Sequence, residues 1–170
     1  MKNLRNLLRI AILGLGMAAA VFANAQAVDT TGSAVVTVIP SLTITRNSDT
    51  NWGRVMVPAS GTATYLLDYR TGATSLTAGN GFCFSDGNAG DYSITGLAGA
   101  TVSYSVSVGS FSGSGLSIAS MEINGHTNSG TDTLDGSGNL TLKLGGTLDV
   151  DSTATVAQQT AQITLSVNYQ

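Results

Sequence analysis

The chain has 170 residues, seven basic and ten acidic side chains and a formal net charge of −3, and only 10% of its residues are charged. An average globular protein carries roughly 25%; here Gly, Ser and Thr fill the deficit, and they suit turns and strands better than helices. The acidic balance speaks against nucleic acid and anionic membranes as partners, and one His and one Cys cannot make a structural zinc site of four nitrogen or sulfur ligands.

Residues 1–25 read as a secretory signal peptide. Lys2, Arg5 and Arg9 form a positive start, Ile10 to Val21 is an apolar run too short to span a bilayer, and Ala23-Asn24-Ala25 has the small-x-small form of a cleavage site. Cleavage before Gln26 leaves four basic residues against ten acids, a formal charge of −6. Export to the periplasm and then to the cell surface is the expected route, with no membrane insertion of the mature chain. Cys83 is alone, so no intrachain disulfide can form, and its place between Phe82 and Phe84 reads as a small buried apolar residue.

Gln26 to Ser33 is small and polar and reads as an extended arm, which the β run Ala34–Ile39 carries on as far as Pro40. Leu42-Thr43-Ile44-Thr45 resumes it, because Pro40 cannot donate to a ladder and marks a strand end or edge. Further strands are expected at Trp52–Val57, Thr62–Asp68, Tyr92–Thr95, Val102–Val108, Leu116–Ile123 and Leu140–Leu144, the last continued by Leu148 and Val150 past Gly145-Gly146. Tyr69 to Asn80 reads as loop, and Ser85 to Asp91 and Asn124 to Ser129 as turns. The final stretch, Ala161 to Gln170, alternates apolar and polar residues throughout, with Ile163, Leu165, Val167 and Tyr169 on one face. An apolar face carried so far needs a cover, either the domain's own core or another chain.

No window shows helical periodicity over a convincing length. Many short strands separated by turns predict an all-β fold, a single immunoglobulin-like or pilin-like antiparallel β-sandwich over residues 34–170 with an extended N-terminal arm over 26–33, or over 26–39 where the arm serves as a donor strand.

Residues for chemistry are scarce. His126 lies in a turn with no Gly-x-Ser-x-Gly elbow in the chain to suggest a hydrolase triad. The acidic loops 86–91 and 132–139 could offer oxygens to calcium, but Asp-Gly and Asp-x-x-Gly are first of all turn chemistry. Trp52, Tyr65 and Tyr69 could form a sugar-binding platform or belong to the core. No catalytic residue, cofactor or metal ligand is assigned, and the chain is not expected to be an enzyme.

The whole mature chain resembles a secreted bacterial family known only as domain of unknown function 4402. The resemblance is carried by Ala34–Ile39 with Leu42-Thr43-Ile44, the Asp49–Gly53 turn, Tyr92–Gly96 with Val102–Val108, and Leu140–Leu148 leading to Val167-Asn168-Tyr169-Gln170. The last strand is also similar to that of chaperone–usher pilins, which alternates apolar residues and has an aromatic next to last. That likeness implies a strand bound first by a periplasmic chaperone through Ile163, Leu165, Val167 and Tyr169. It further implies delivery by an outer-membrane usher, and an N-terminal arm that completes a neighbouring subunit with Val28, Thr30, Gly32, Ala34, Val36 and Val38 on one face. The expected function is a structural subunit of a fimbria or matrix filament whose partners are identical or related subunits. The alternatives are a monomeric secreted or cell-surface binding module, with glycans as a candidate ligand, and last a secreted hydrolase.

Overall fold

A computed structural model describes residue 33 and residues 35–170. The signal peptide and Val28, Thr30, Gly32 and Ala34 of the arm lie outside the described residues. Ser33 and residues 35–37 fall in one unit and residues 38–170 in a second. In the first, Val35 and Val36 expose 87% and 84% of their surface and take part in no strand. The strand expected over 34–39 is therefore absent among the described residues. Val38 and Ile39 at the start of the second unit are likewise exposed and outside any strand, because β propensity needs a neighbouring strand to become structure.

The second unit is an antiparallel β-sandwich, with no helix among the described residues. Its strands are β1 (Thr43–Ser48), β2 (Arg54–Val55), β3 (Thr62–Leu67), β4 (Thr74–Ala78), β5 (Cys83–Ser85), β6 (Gly90–Thr95), β7 (Thr101–Val108), β8 (Leu116–Ile123), β9 (His126–Thr127), β10 (Ser129–Thr133), β11 (Asn139–Asp151) and β12 (Ile163–Tyr169). One sheet has the order β1-β6-β11-β3-β4, with β8 also on β11 and β9 on β8. A second sheet has the order β10-β7-β12, and β2 and β5 form a small ribbon.

The 13-residue β11 is the spine. Leu140–Leu144 and its neighbour Asn139 pair with β6, then Gly146–Asp151 pair with β3, while Leu144–Val150 pair with β8. The expected break at Gly145-Gly146 is a change of partner inside one continuous strand. Only glycine fits there: a side chain on Gly145 would strike the Leu67 carbonyl, and Gly146 has φ of 147°. Trp52 locks the bend, its Nε1–H donating to the Gly146 carbonyl at 3.1 Å.

Inward residues of both sheets form one core that includes Tyr65, Leu67, Ile94, Val102, Tyr104, Ile123, Leu142, Leu144 and Val150. They alternate with outward polar residues, as a two-layer sandwich requires.

Beyond the absent strand at 34–39, three expectations need correction. Tyr69–Asn80 is not all loop, since β4 pairs with β3 there, and the expected Trp52–Val57 strand shrinks to Arg54–Val55. Cys83 is half-buried rather than buried, with Phe82 and Phe84 stacked edge-to-face outside it at 58% and 60% exposure.

Candidate functional site

The last strand is an edge of the three-stranded sheet. β12 pairs with β7 from Ile163↔Val108 to Tyr169↔Val102 and with nothing else among the described residues. The bonds that extend this ladder, Gly109 N–H to Gln162 O at 2.8 Å and Gln170 N–H to Thr101 O at 3.0 Å, fix its parity. The even-numbered residues of β12 turn their backbone groups to β7. Ile163, Leu165, Val167 and Tyr169 therefore direct theirs to the free edge. These are also the residues whose side chains are half-buried against the core.

β1, which pairs only with β6 among the described residues, follows Pro40 and Leu42, which meet this edge at Tyr169. The seam between β1 and β12 is closed at one end and open at the other. At the closed end the Tyr169 hydroxyl reaches across, donating to the Pro40 carbonyl at 2.9 Å and accepting from the Leu97 N–H at 2.7 Å. Gly96 makes room for it, because a side chain there would meet the Tyr169 hydroxyl and Leu42. At the open end a cavity of about 1160 Å³ is lined by Arg46 and Asp49 beside β1, by Ile163, and by Trp52, Tyr92, Phe111 and Leu148. A second cavity of about 650 Å³ lies between the ends of β7 and β8, and the two share Val108, Phe111, Leu116 and Ile118. Near the opposite rim, Asn128 bridges the sheets: its carbonyl accepts from Val106 N–H and its side-chain oxygen from Met121 N–H, both at 2.9 Å.

Of the other sequence candidates, Trp52 and Asp86 line the cavity at the open end and the rest lie apart from it. Trp52 and Tyr69 are each 9% exposed and Tyr65 fully buried, its hydroxyl donating to the Met56 carbonyl at 2.6 Å. They offer no open aromatic platform. His126 lies exposed in β9, 6.2 Å from the Tyr104 ring centroid. In the 132–139 loop the Asp135 carboxylate accepts from Ser137 and Asn139 N–H at 2.8 Å each, which holds its pKa below the usual range. That carboxylate is occupied by the turn. Among the described residues no three His, Cys, Asp or Glu side chains gather as a metal site would require. Burial, with the Asp86 charge adding to it, raises the Cys83 pKa, a shift that disfavours the thiolate.

Sequence reading found Ile163, Leu165, Val167 and Tyr169 but missed β1 as the opposite rim and the Tyr169–Pro40–Leu97 closure. The only signal for the closure was an aromatic at the end of an alternating strand.

A family model described as a domain of unknown function (DUF4402) matches residues 42–169. No curated protein and no solved structure matches the chain.

Proposed function

Since the chain belongs to the DUF4402 family, whose description assigns no activity, we propose from the geometry that it is a structural subunit of an extracellular fimbria or matrix filament, assembled by strand addition between subunits. The observation that supports this reading is the unpaired edge of β12, whose Ile163, Leu165, Val167 and Tyr169 are only half-buried, beside a cleft of mixed polar and apolar lining that reaches Ile163. An exposed edge with apolar side chains beside it is a template for another strand, and an added strand supplies main-chain hydrogen bonds and side chains for the pockets at once. A donor at one end of each subunit and an acceptor seam at another make a head-to-tail contact, which propagates into an open filament rather than a closed ring.

In this reading the leader exports the chain, and a periplasmic chaperone covers the β12 edge until an usher exchanges it for the arm of the next subunit. Catalytic groups, cofactors and metals have no part in the process. The test compares mature chain 26–170 with the same chain lacking 26–38, by size-exclusion chromatography and electron microscopy. Filaments are expected from the first and folded monomers from the second. Normal filaments from the deletion would overturn the proposal, and a mature chain that stays monomeric would favour a secreted binding module.

A further inference from the structure

The cavity of about 1160 Å³ beside Ile163 has the chemistry of a binding cleft: we propose that it takes a neutral saccharide, a short chain of hexopyranose units, whether or not the subunits polymerise.

Its lining joins two kinds of surface. Arg46, Asp49, Arg54 and Asp86 supply planar charged groups, while Phe111, Leu116, Ile118 and Ile163, all half-buried, supply apolar surface. Pockets for drug-like molecules are lined predominantly by apolar side chains with a few polar groups. A lining shared more evenly fits a ligand that carries hydroxyls and C–H faces on the same ring, and a hexopyranose is such a ligand. Its hydroxyls both donate and accept, so they suit guanidinium and carboxylate alike, and its C–H face packs on an aromatic ring such as Phe111. The charges decide against an ionic sugar. Two arginines stand against two aspartates in the lining, and Arg46 is already paired with Asp49 at 2.8 Å. A uronic or sulfated chain would lose to the carboxylates what it gains from the arginines, whereas a neutral sugar uses both signs as hydrogen-bond partners.

The same lining holds polar atoms left without a partner. Among the described residues three buried side-chain oxygens make no hydrogen bond, and two of them belong to residues of this one cleft: Thr50 Oγ1, on the connection from β1 to β2, and Gln159 Oε1, on the connection from β11 to β12. Gln159 Nε2 donates to the Thr155 carbonyl at 2.8 Å, so the amide is already oriented and only its acceptor is idle. An idle buried polar atom destabilises the fold, and native structures hold few of them. Both atoms are closed to solvent. A turn about χ1 of Thr50, or about the soft terminal torsion of Gln159, presents each to a seated ligand, and sugar hydroxyls supply the donors that both lack.

Mature chain 26–170 screened on an array of neutral and acidic oligosaccharides, followed by calorimetric titration of the best neutral hit, tests this. Binding of a neutral oligosaccharide is expected, weakened at least tenfold by Arg54→Ala and by Phe111→Ala. Thr50→Val and Gln159→Leu are the sharper variants. Each should weaken binding at least tenfold while the thermal melt of the free chain holds or rises, because an idle buried polar atom has been removed; a purely structural role would move the melt and leave the affinity alone. An array without a hit, hits among acidic oligosaccharides alone, or neutral binding that Thr50→Val and Gln159→Leu leave intact overturns the proposal. A fatty acid that binds the chain and is lost on Phe111→Ala, with no sugar bound, overturns it as well. Filament formation, read separately by electron microscopy, stands or falls apart from every one of these outcomes.

Discussion

β11 and β12 look alike in sequence and differ in what surrounds them. Leu140-Thr-Leu-Lys-Leu144 and Ile163-Thr-Leu-Ser-Val167 share one alternation. Yet Leu142 and Leu144 are fully buried in a stretch that pairs with β6 and whose other edge is met by β8 at Leu144 and by the Asn124 side chain at Thr141 and Lys143, whereas Ile163, Leu165 and Val167 are half-buried with one edge of β12 free. Alternation specifies a strand and its inward face. It does not specify how many neighbours the strand has, and that number decides whether an edge is left free to take another strand.

The widest gap between the strands should appear in subunit stability. Leu142→Ala is expected to cost about 2–5 kcal/mol, the range for emptying a packed core position, measured by urea unfolding of the arm-deleted chain. A loss below about 1 kcal/mol would mean that the β11 core is looser than its burial implies. Next comes Tyr169→Ser, which removes a half-buried ring and the two hydrogen bonds that close the seam. A loss of roughly 3 kcal/mol is expected, with folding yield falling before any change in filament geometry. Stable subunit at normal levels would break the idea that β12 belongs to the subunit's own core.

Leu165→Ala sharpens the contrast further. In the isolated subunit it should cost only about 1–2 kcal/mol, since the side chain is already partly in water. If the proposed filament forms, the same substitution should cost more there, because an added strand would complete the burial. Equal losses in both states would show that nothing more covers Leu165 on assembly.

Most strands with apolar alternation could be read from the sequence, and the misses have physical causes. Ser129-Gly-Thr-Asp-Thr133 has no apolar side chain to reveal β10, which is held by its ladder to β7. In Thr74–Ala78 Leu76 is the only large apolar residue, and that strand rests on pairing with β3. Val35 to Ile39 erred the other way, with strong propensity but no partner strand among the described residues. Of the seam, the β12 face was legible residue by residue. The rim at β1 was not, because edge position is a property of topology and leaves no local mark on Thr43–Ser48.

The smallest effect concerns the support beneath β12. Tyr104 of β7 lies opposite Val167 on one side and Gly130 of β10 on the other, and its hydroxyl donates to Asp132 Oδ2 at 2.9 Å. Burial first, then this hydrogen bond and the Asp132 charge, raise the Tyr104 pKa above its ordinary 10.0. The folded state therefore keeps a proton that the unfolded chain releases, so this contribution is whole below about pH 10 and declines above it. Tyr104→Phe should cost about 1 kcal/mol at neutral pH and make the alkaline decline shallower by up to one proton, about 1.4 kcal/mol per pH unit. Tyr65 and Tyr92, whose pKa values burial also raises, should keep the remaining decline in both proteins. Parallel unfolding curves from pH 9 to 11 decide the matter. If the two slopes coincide, Tyr104 ionises as freely in the folded chain as in the unfolded one, and the β10 support of the sheet that carries β12 is weaker than its geometry indicates.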